Sequence, residues 1–102
     1  QEVSTTIDYN VSDMISQFKI NNAYPNPFNP STTFSIDVPS SGYLSVKIFN
    51  VSGQLVDVLT SGLVNANTYN FIWNANNMAA GMYIVNAEFE GKSISHNISL
   101  IK

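Results

Sequence analysis

Few side chains in this sequence have the types and spacing that catalysis or metal binding needs. His96 is the only histidine, so the chain cannot build a histidine-based metal cluster by itself. Glu88 and Glu90 lie two apart on one predicted strand and are expected to face solvent, but no cleft or partner for acid–base chemistry can be identified. Other carboxylates lack calcium-loop spacing, namely Asp8, Asp13, Asp37 and Asp57. We therefore expect no catalytic residue, no metal site and no cofactor.

The overall composition excludes several classes of protein. Hydrophobic residues make up 44% of the 102 positions and charged residues only 11%, against a usual charged share of about 25%. Such a chain is long enough to fold as one domain around its own core. The net charge is −3, arginine and cysteine are absent, and the lysines are scattered: Lys19, Lys47, Lys92 and Lys102. Because nucleic-acid binding needs a basic face, we expect no nucleic-acid partner.

The sequence contains no segment that is typical of membrane insertion or targeting. Its apolar runs are only a few residues long, which is too short for a membrane-spanning helix. The first residues, QEVSTTIDYN, lack the basic and apolar regions of a signal peptide. Because the sequence also begins without Met, we expect it to be a fragment of a longer protein.

Alternation of apolar and polar residues recurs at short intervals, which is the pattern of β-strands. In TTFSIDV and YLSVKIF every second residue is apolar, giving the inward set Phe34, Ile36, Val38, Leu44, Val46 and Ile48. Similar segments follow as QLVDVLT, YNFIW, MYIVNAEF and KSISHNISLI. With turn signals between them and no long helical pattern, they predict an all-β fold. We expect an immunoglobulin-like antiparallel β-sandwich of about seven strands.

The connections contain residues with recognisable turn chemistry. Gly53 in NVSG is expected to need a positive φ. Glu90–Gly91 predicts a tight hairpin turn between the last two strands. NMAAG, residues 77–81, is expected to form a single helical turn that ends at Gly81, where a side chain would be forbidden.

The region after Gly53 has a less regular pattern. In QLVDVLT we expect Leu55 to face the core together with either Val56 or Val58, since these two positions compete for the inward face. The following SGLVNANT, residues 61–68, is rich in turn-forming residues, so it is expected to be a loop or hairpin.

A cluster of prolines precedes the first clear strand. We call this segment the proline loop; its members are Tyr24, Pro25, Asn26, Pro27, Phe28, Asn29 and Pro30. Proline locks φ and lacks an amide donor, and the residue before it is pushed towards extended conformations. We predict that the loop is a stiff clasp at the start of the domain, with Phe28 plugging the end of the sandwich. It also keeps the first strand from pairing with a neighbouring molecule.

Trp73 has two possible roles. Its place in an alternating strand favours a position in the core. The alternative is an exposed platform for a sugar ring, shared with Tyr43 or Tyr69. The two interpretations differ in whether the indole is accessible.

The last strand is where we expect function to concentrate. A final strand can lie at a sheet edge, where unpaired N–H and C=O groups allow a partner to add a strand. One alternating set comprises Ile94, His96, Ile98 and Leu100. The alternative is that this segment is simply the last paired strand of a sheet.

Several pieces occur in a fixed order: FKINNAYPNPFNPSTTFSI, LSVKIFNVSGQLVDVL, FIWNANNMAAGMYIV and the lysine-ended KSISHNISLIK. Together they resemble the type A C-terminal sorting domain of type IX (Por) secretion substrates. The same pattern is similar to the immunoglobulin-like domain of the flagellar hook-capping protein. The resemblance runs from about Ile15 to Lys102. It departs from the family pattern at Asn74, where an acidic residue is commoner, and at Met78 and Met82.

The resemblance implies a non-catalytic address label. Such a domain directs a secreted cargo protein through the type IX secretion system of Bacteroidota-like bacteria. An outer-membrane translocon recognises it, and a sortase-like peptidase cleaves it from the upstream cargo domain. The protein would then pass through the periplasm to the outer-membrane surface or the extracellular space, without direct membrane insertion of the domain.

We assign residues 15–102 to the sorting domain and residues 1–14 to a linker or an extra edge strand through Val3, Thr5, Ile7 and Tyr9. Recognition is expected to use the folded sandwich and the terminal strand, with the residues Gly81, Tyr83, Lys92, Ile98, Leu100 and Lys102. Two alternatives stay open: an accessory carbohydrate- or protein-binding module on a secreted enzyme, and a structural role like that of the hook-capping domain.

Overall fold

The computed structural model describes residues 17–102. The possible extra edge strand through Val3 to Tyr9 lies outside the described residues. The described part contains the strands β1 (Lys19–Ile20), β2 (Ser31–Val38), β3 (Gly42–Asn50), β4 (Leu55–Val64), β5 (Asn67–Asn74), β6 (Gly81–Phe89) and β7 (Lys92–Leu100). No helix occurs within it. No helix of the described residues is therefore long and apolar enough to cross a membrane. The prediction of an all-β fold with about seven strands is confirmed.

The strands form two antiparallel sheets. One sheet has three strands in the order β1-β2-β5, and the other has four strands in the order β4-β3-β6-β7. Every pairing is antiparallel. The arrangement is consistent with the predicted β-sandwich, and it leaves β1, β5, β4 and β7 at the sheet edges.

The core lies between the inward faces of the central strands β2, β3 and β6. Because strand side chains alternate between the two faces of a sheet, every second residue of these strands enters the core. The inward residues of β2 and β3 are at most 4% exposed, as the alternation predicts: Phe34, Ile36, Val38, Leu44, Val46 and Ile48. β6 adds Val85 and Ala87, which are fully buried.

β4 is longer than its sequence pattern predicts. Residues 61–64 belong to this strand and residues 67 and 68 to β5, so the expectation of a loop or hairpin across residues 61–68 is wrong except at residues 65 and 66. The register of β4 against β3 shifts at two points, between Val46 and Lys47 and between Ile48 and Phe49. Each shift breaks the alternation of side chains, because a β-bulge places two residues opposite one. As a result Val56 and Leu59 pack on the core, whereas Leu55 and Val58 are exposed.

The two predicted glycine turns are confirmed. Gly53 has a φ of 83°, as expected for the residue that closes the NVSG turn. At the hairpin between β6 and β7, Phe89 pairs with Lys92, and the two residues between them, Glu90 and Gly91, have φ values of 48° and 83°. Two consecutive positive φ values match the right-handed twist of the flanking strands, which favours this two-residue turn.

The connection between β5 and β6 is a β-turn and not the predicted helical turn. The Met78 N–H donates to the Ala75 C=O at 3.0 Å, which forms a turn over residues 75–78, so that only its last two residues overlap residues 77–81. The Ala75 N–H in turn donates to the Pro30 C=O at 2.9 Å. This contact ties the start of the turn to the proline loop. Gly81 has a positive φ of 147°, in agreement with the expectation for that residue.

Candidate recognition site at the terminal strand

β7 is an edge strand of the four-stranded sheet. It pairs along its whole length with β6, from Phe89 opposite Lys92 to Gly81 opposite Leu100. In an antiparallel ladder, alternate residues direct both backbone groups towards the partner or away from it. The backbone therefore presents a row of outward N–H and C=O groups on the side away from β6.

The proline loop covers the second half of this outward row. The Asn26 side chain donates from Nδ2 to the Asn97 C=O at 3.1 Å, and its Oδ1 accepts the Ser99 N–H at 3.0 Å. The Phe28 N–H donates to the Ser99 C=O, and the Phe28 C=O accepts the Ile101 N–H, both at 2.9 Å. The loop therefore takes the place of a further strand beside residues 97–101.

Phe28 anchors the loop by its side chain as well as its backbone. The Phe28 ring is 1% exposed and lies 5.8 Å from the Trp73 ring, measured between centroids. Trp73 packs edge-on against Tyr83 at 5.2 Å. The Phe28 side chain is thus part of the hydrophobic core.

Trp73 is a core residue. The indole is 2% exposed, and its Nε1 donates to Asp57 Oδ2 at 2.9 Å. The alternative of a sugar-stacking platform at Trp73 is therefore wrong, because a ring buried between two sheets cannot meet a ligand.

The first half of the β7 edge is not covered by the proline loop, although β1 lies close to it. Its outward groups are the N–H and C=O of Ser93 and Ser95 and the N–H of Asn97, and no hydrogen bond from the part of the chain that the structure describes reaches them. On one side of the strand the Ser93 and Ser95 hydroxyls accept from Asn86 Nδ2 at 3.0 and 3.2 Å. On the other side, Ile94 and His96 are half-buried.

The predicted site residues divide into two groups. The side chains of Tyr83, Ile98 and Leu100 are buried at 6%, 1% and 2% exposure, and the Tyr83 hydroxyl donates to the Ala79 C=O at 2.6 Å. Gly81, Lys92 and Lys102 are exposed. The structure thus brings two of the predicted lysines to the surface near the ends of β7 and places the aromatic and aliphatic members in the core.

Residues 22–101 match the family model described as the secretion system C-terminal sorting domain. The chain belongs to this family. It is accordingly a C-terminal sorting signal of the type IX secretion system, and a signal of this kind implies export of the protein that carries it.

Two solved structures are similar to the sorting domain. One is PorZ, an essential bacterial surface component of the type-IX secretion system of Porphyromonas gingivalis, with 27% identity and a TM-score of 0.54 over 83% of this chain and 11% of PorZ. The other is the DNA glycosylase AlkC of Pseudomonas fluorescens, with 16% identity and a TM-score of 0.50 over 90% of this chain and 32% of AlkC. The second likeness concerns the fold alone. No curated protein sequence matches the chain.

Glu88 and Glu90 lie on the outer surface of the sorting domain, and Glu90 makes a structural contact. Glu90 Oε2 accepts the Tyr43 N–H at 2.8 Å, and a Cβ on Gly42 would lie 2.7 Å from the Glu90 side chain, so glycine at position 42 permits this contact. Glu88 and Glu90 line a shallow, solvent-open depression on the outer face of the four-stranded sheet, together with Lys47. Within the described residues, no group of His, Asp or Glu side chains is arranged to hold a metal ion.

Sequence reasoning missed the role of Asn26 in this sorting domain. The sequence marks Asn26 only as the residue that precedes Pro27. Its two partners lie 71 and 73 residues further along the chain. No local pattern reports so distant a contact.

Proposed function

We propose that the type IX translocon recognises this sorting domain along the open edge of β7. The observation that carries the proposal is the row of backbone groups from the Ser93 N–H to the Asn97 N–H, at the edge of the four-stranded sheet, that no described residue pairs with. An extended segment of a translocon component adds there as a further strand, because backbone pairing supplies affinity and the alternate side chains supply selectivity. Lys92 and Lys102 add positive charge at the two ends of the strand.

The other edges of the sandwich are less suited to strand addition. β1 has only two residues. β4 is interrupted by two register shifts, and bulges of this kind twist an edge away from a flat partner. β5 lies on the same margin of the sandwich as β4, where the bond from Trp73 to Asp57 links the two sheets.

The proposed export route follows the family. A cargo domain precedes the sorting domain in the same polypeptide, and the protein passes through the periplasm before it crosses the outer membrane. A sortase-like peptidase then removes the sorting domain by cleavage upstream of β1, within about the first twenty residues, and the cargo is attached to the surface or released. The sorting domain itself acts without catalysis: Glu90 is committed to the Tyr43 amide.

An export assay tests the proposal. The complete 102-residue chain is fused behind a periplasmic reporter in a type IX-competent bacterium. Ser95→Pro removes one outward N–H without breaking a bond to β6, since proline is tolerated where the N–H faces away from the sheet. Ser95→Ala is the matched control, because it removes the hydroxyl and keeps the amide.

We expect the reporter to reach the surface with the original sequence and with Ser95→Ala. With Ser95→Pro we expect it to stay in the periplasm. Circular dichroism and thermal unfolding of the isolated chains establish that both variants are folded. Normal export of a folded Ser95→Pro variant contradicts recognition through this edge, and periplasmic retention of the original fusion contradicts the sorting function as a whole.

A second candidate function is an accessory protein-binding module. It is favoured by Tyr24, which is 80% exposed, and Ile72, which is 71% exposed. Thr33 pairs with both residues, so the two side chains share a row across the three-stranded sheet. This candidate predicts that Tyr24→Ala abolishes a partner interaction and leaves export intact. Loss of export in a folded Tyr24→Ala variant argues against it.

A further inference from the structure

The proline loop and an added strand compete for the same edge. The loop already uses three backbone groups of β7 and one of the residue that follows the strand, namely Asn97 C=O, Ser99 N–H, Ser99 C=O and Ile101 N–H. A partner strand that continued past Asn97 would need the same groups. Each of these groups can bond either the proline loop or a partner strand, because an amide N–H donates one strong hydrogen bond at a time.

The two hydrogen bonds of Asn26 determine how much of the β7 edge the loop occupies. A side-chain amide has the same donor and acceptor as a peptide unit, and Asn26 uses both on neighbouring β7 residues, Asn97 and Ser99. Both bonds are solvent-exposed, unlike the packing of Phe28. The Asn26 contact is therefore the part of the loop that can open while Phe28 stays in the core.

We propose that the proline loop is a built-in competitor strand, and that Asn26 sets how much of the β7 edge a partner can use. With Asn26 in place, addition is confined to residues 93–97, which span about 14 to 17 Å at the rise of an antiparallel strand. When Asn26 releases its two bonds, the free edge extends to the Ser99 N–H. The inference rests on the proposed function, because it assigns a regulator to the edge proposed there as the recognition surface.

The chemistry of the edge also defines the partner segment. One face of the added strand continues the row of Ser93 and Ser95, which is polar. The opposite face meets Ile94 and His96, which are half-buried, and the His96 Nε2 is buried without a hydrogen-bond partner among the described residues. The matching segment is an extended peptide that alternates polar and apolar residues and carries a donor or acceptor opposite His96.

Amide hydrogen exchange in the complete 102-residue chain tests the competitor without any translocon. In the original sequence we expect fast exchange at Ser93, Ser95 and Asn97 and slow exchange at Ser99 and Ile101. Slow exchange at Ser95 overturns the inference, because another segment then covers the open half. Fast exchange at Ser99 also overturns it.

Asn26→Ala isolates the two amide bonds, and Asn29→Ala is the matched control. Asn29 is exposed, also precedes a proline, and makes no hydrogen bond to β7 in the described part of the chain. Loss of one hydrogen bond of ordinary strength should speed exchange at Ser99 by about tenfold. Ile101 should keep its protection, since its acceptor belongs to Phe28. Equal acceleration at every amide of β6 and β7 overturns the inference, because the effect is then a general loss of stability.

Binding of a strand probe completes the test. The probe is a synthetic peptide that copies residues 92–101, which has the required alternation of polar and apolar residues. We expect the Asn26→Ala chain to bind it about tenfold more tightly than the original chain or Asn29→Ala. Unchanged affinity, in a variant whose Ser99 amide exchanges freely, overturns the regulatory role of Asn26. The export assay with Ser95→Pro can fail independently of both measurements.

Discussion

The Trp73 indole and the Asp57 carboxylate join the two sheets of the sandwich. Trp73 lies on β5 and donates from Nε1 to Asp57 Oδ2 on β4 at 2.9 Å. The indole is 2% exposed, so water cannot replace the carboxylate if it is removed. This one hydrogen bond therefore satisfies the Nε1–H of Trp73, which is the only polar group of the largest side chain in the core.

Asp57→Ala should destabilise the domain by about 1–3 kcal/mol, because it leaves a buried donor without an acceptor. Asp57→Asn keeps an acceptor oxygen and should lose less. Urea unfolding followed by the fluorescence of Trp73, the only tryptophan, measures both variants. Equal losses for the two variants contradict the role of the hydrogen bond.

Phe28→Ala should lower the free energy of unfolding by about 3–5 kcal/mol, because it opens a cavity beside Trp73. Tyr24→Ala, in the same loop, should change it by less than about 0.5 kcal/mol, since that ring is 80% exposed. Thermal unfolding by circular dichroism compares the two. Phe28→Leu provides a smaller cavity if the alanine variant does not fold. A similar effect of Tyr24→Ala and Phe28→Ala contradicts the anchoring of the loop by Phe28.

Gly53→Ala should destabilise the domain by about 1–2 kcal/mol, because a Cβ is strained at a positive φ. Gly62 provides the control: a Cβ added there meets nothing within 4 Å, and its φ is not positive. Gly62→Ala should be neutral or slightly stabilising, since alanine restricts the unfolded chain. Chemical denaturation measures the free energy of unfolding of the Gly53→Ala and Gly62→Ala variants. Comparable losses at both sites indicate that glycine is needed for another reason.

Lys92→Gln and Lys102→Gln should each weaken binding to the translocon by about two- to fivefold at low salt, if these cations contact acidic groups of the receptor. The effect should fade as salt rises, because exposed charges are screened. Lys47→Gln, on β3, makes the same charge change away from β7 and should bind normally. The affinity of the original chain and of the three variants for the translocon is measured at several salt concentrations. A salt-independent affinity contradicts a role for the lysines.

Most of the fold could be predicted from local patterns. Alternation identified the inward faces of β2 and β3, because residues such as Ile36 and Leu44 meet the core on every second position. Positive φ at Gly53 followed from turn chemistry. These features depend on neighbours within a few residues, and that is the range over which a sequence pattern carries physical information.

The remaining features depend on contacts between distant parts of the chain. The bulged register of β4 results from its pairing with β3, so Leu55 is exposed although its sequence context favours the core. The turn after β5 begins at Ala75, whose N–H donates to the C=O of Pro30, 45 residues earlier in the chain. The open and covered halves of β7 are defined by Asn26 and Phe28, whose sequence neighbourhood shows only that the loop is stiff.

The bonds between Asn26 and the last strand have a consequence for how the domain is made. A ribosome that stops before Asn97 produces a chain whose loop has nothing to close upon, and such a chain also lacks Ile98 and Leu100 from its core. Long-range contacts of this kind form late, after the final residues are available. Folding of the domain thus reports that translation has passed Leu100, because shorter products lack part of the core.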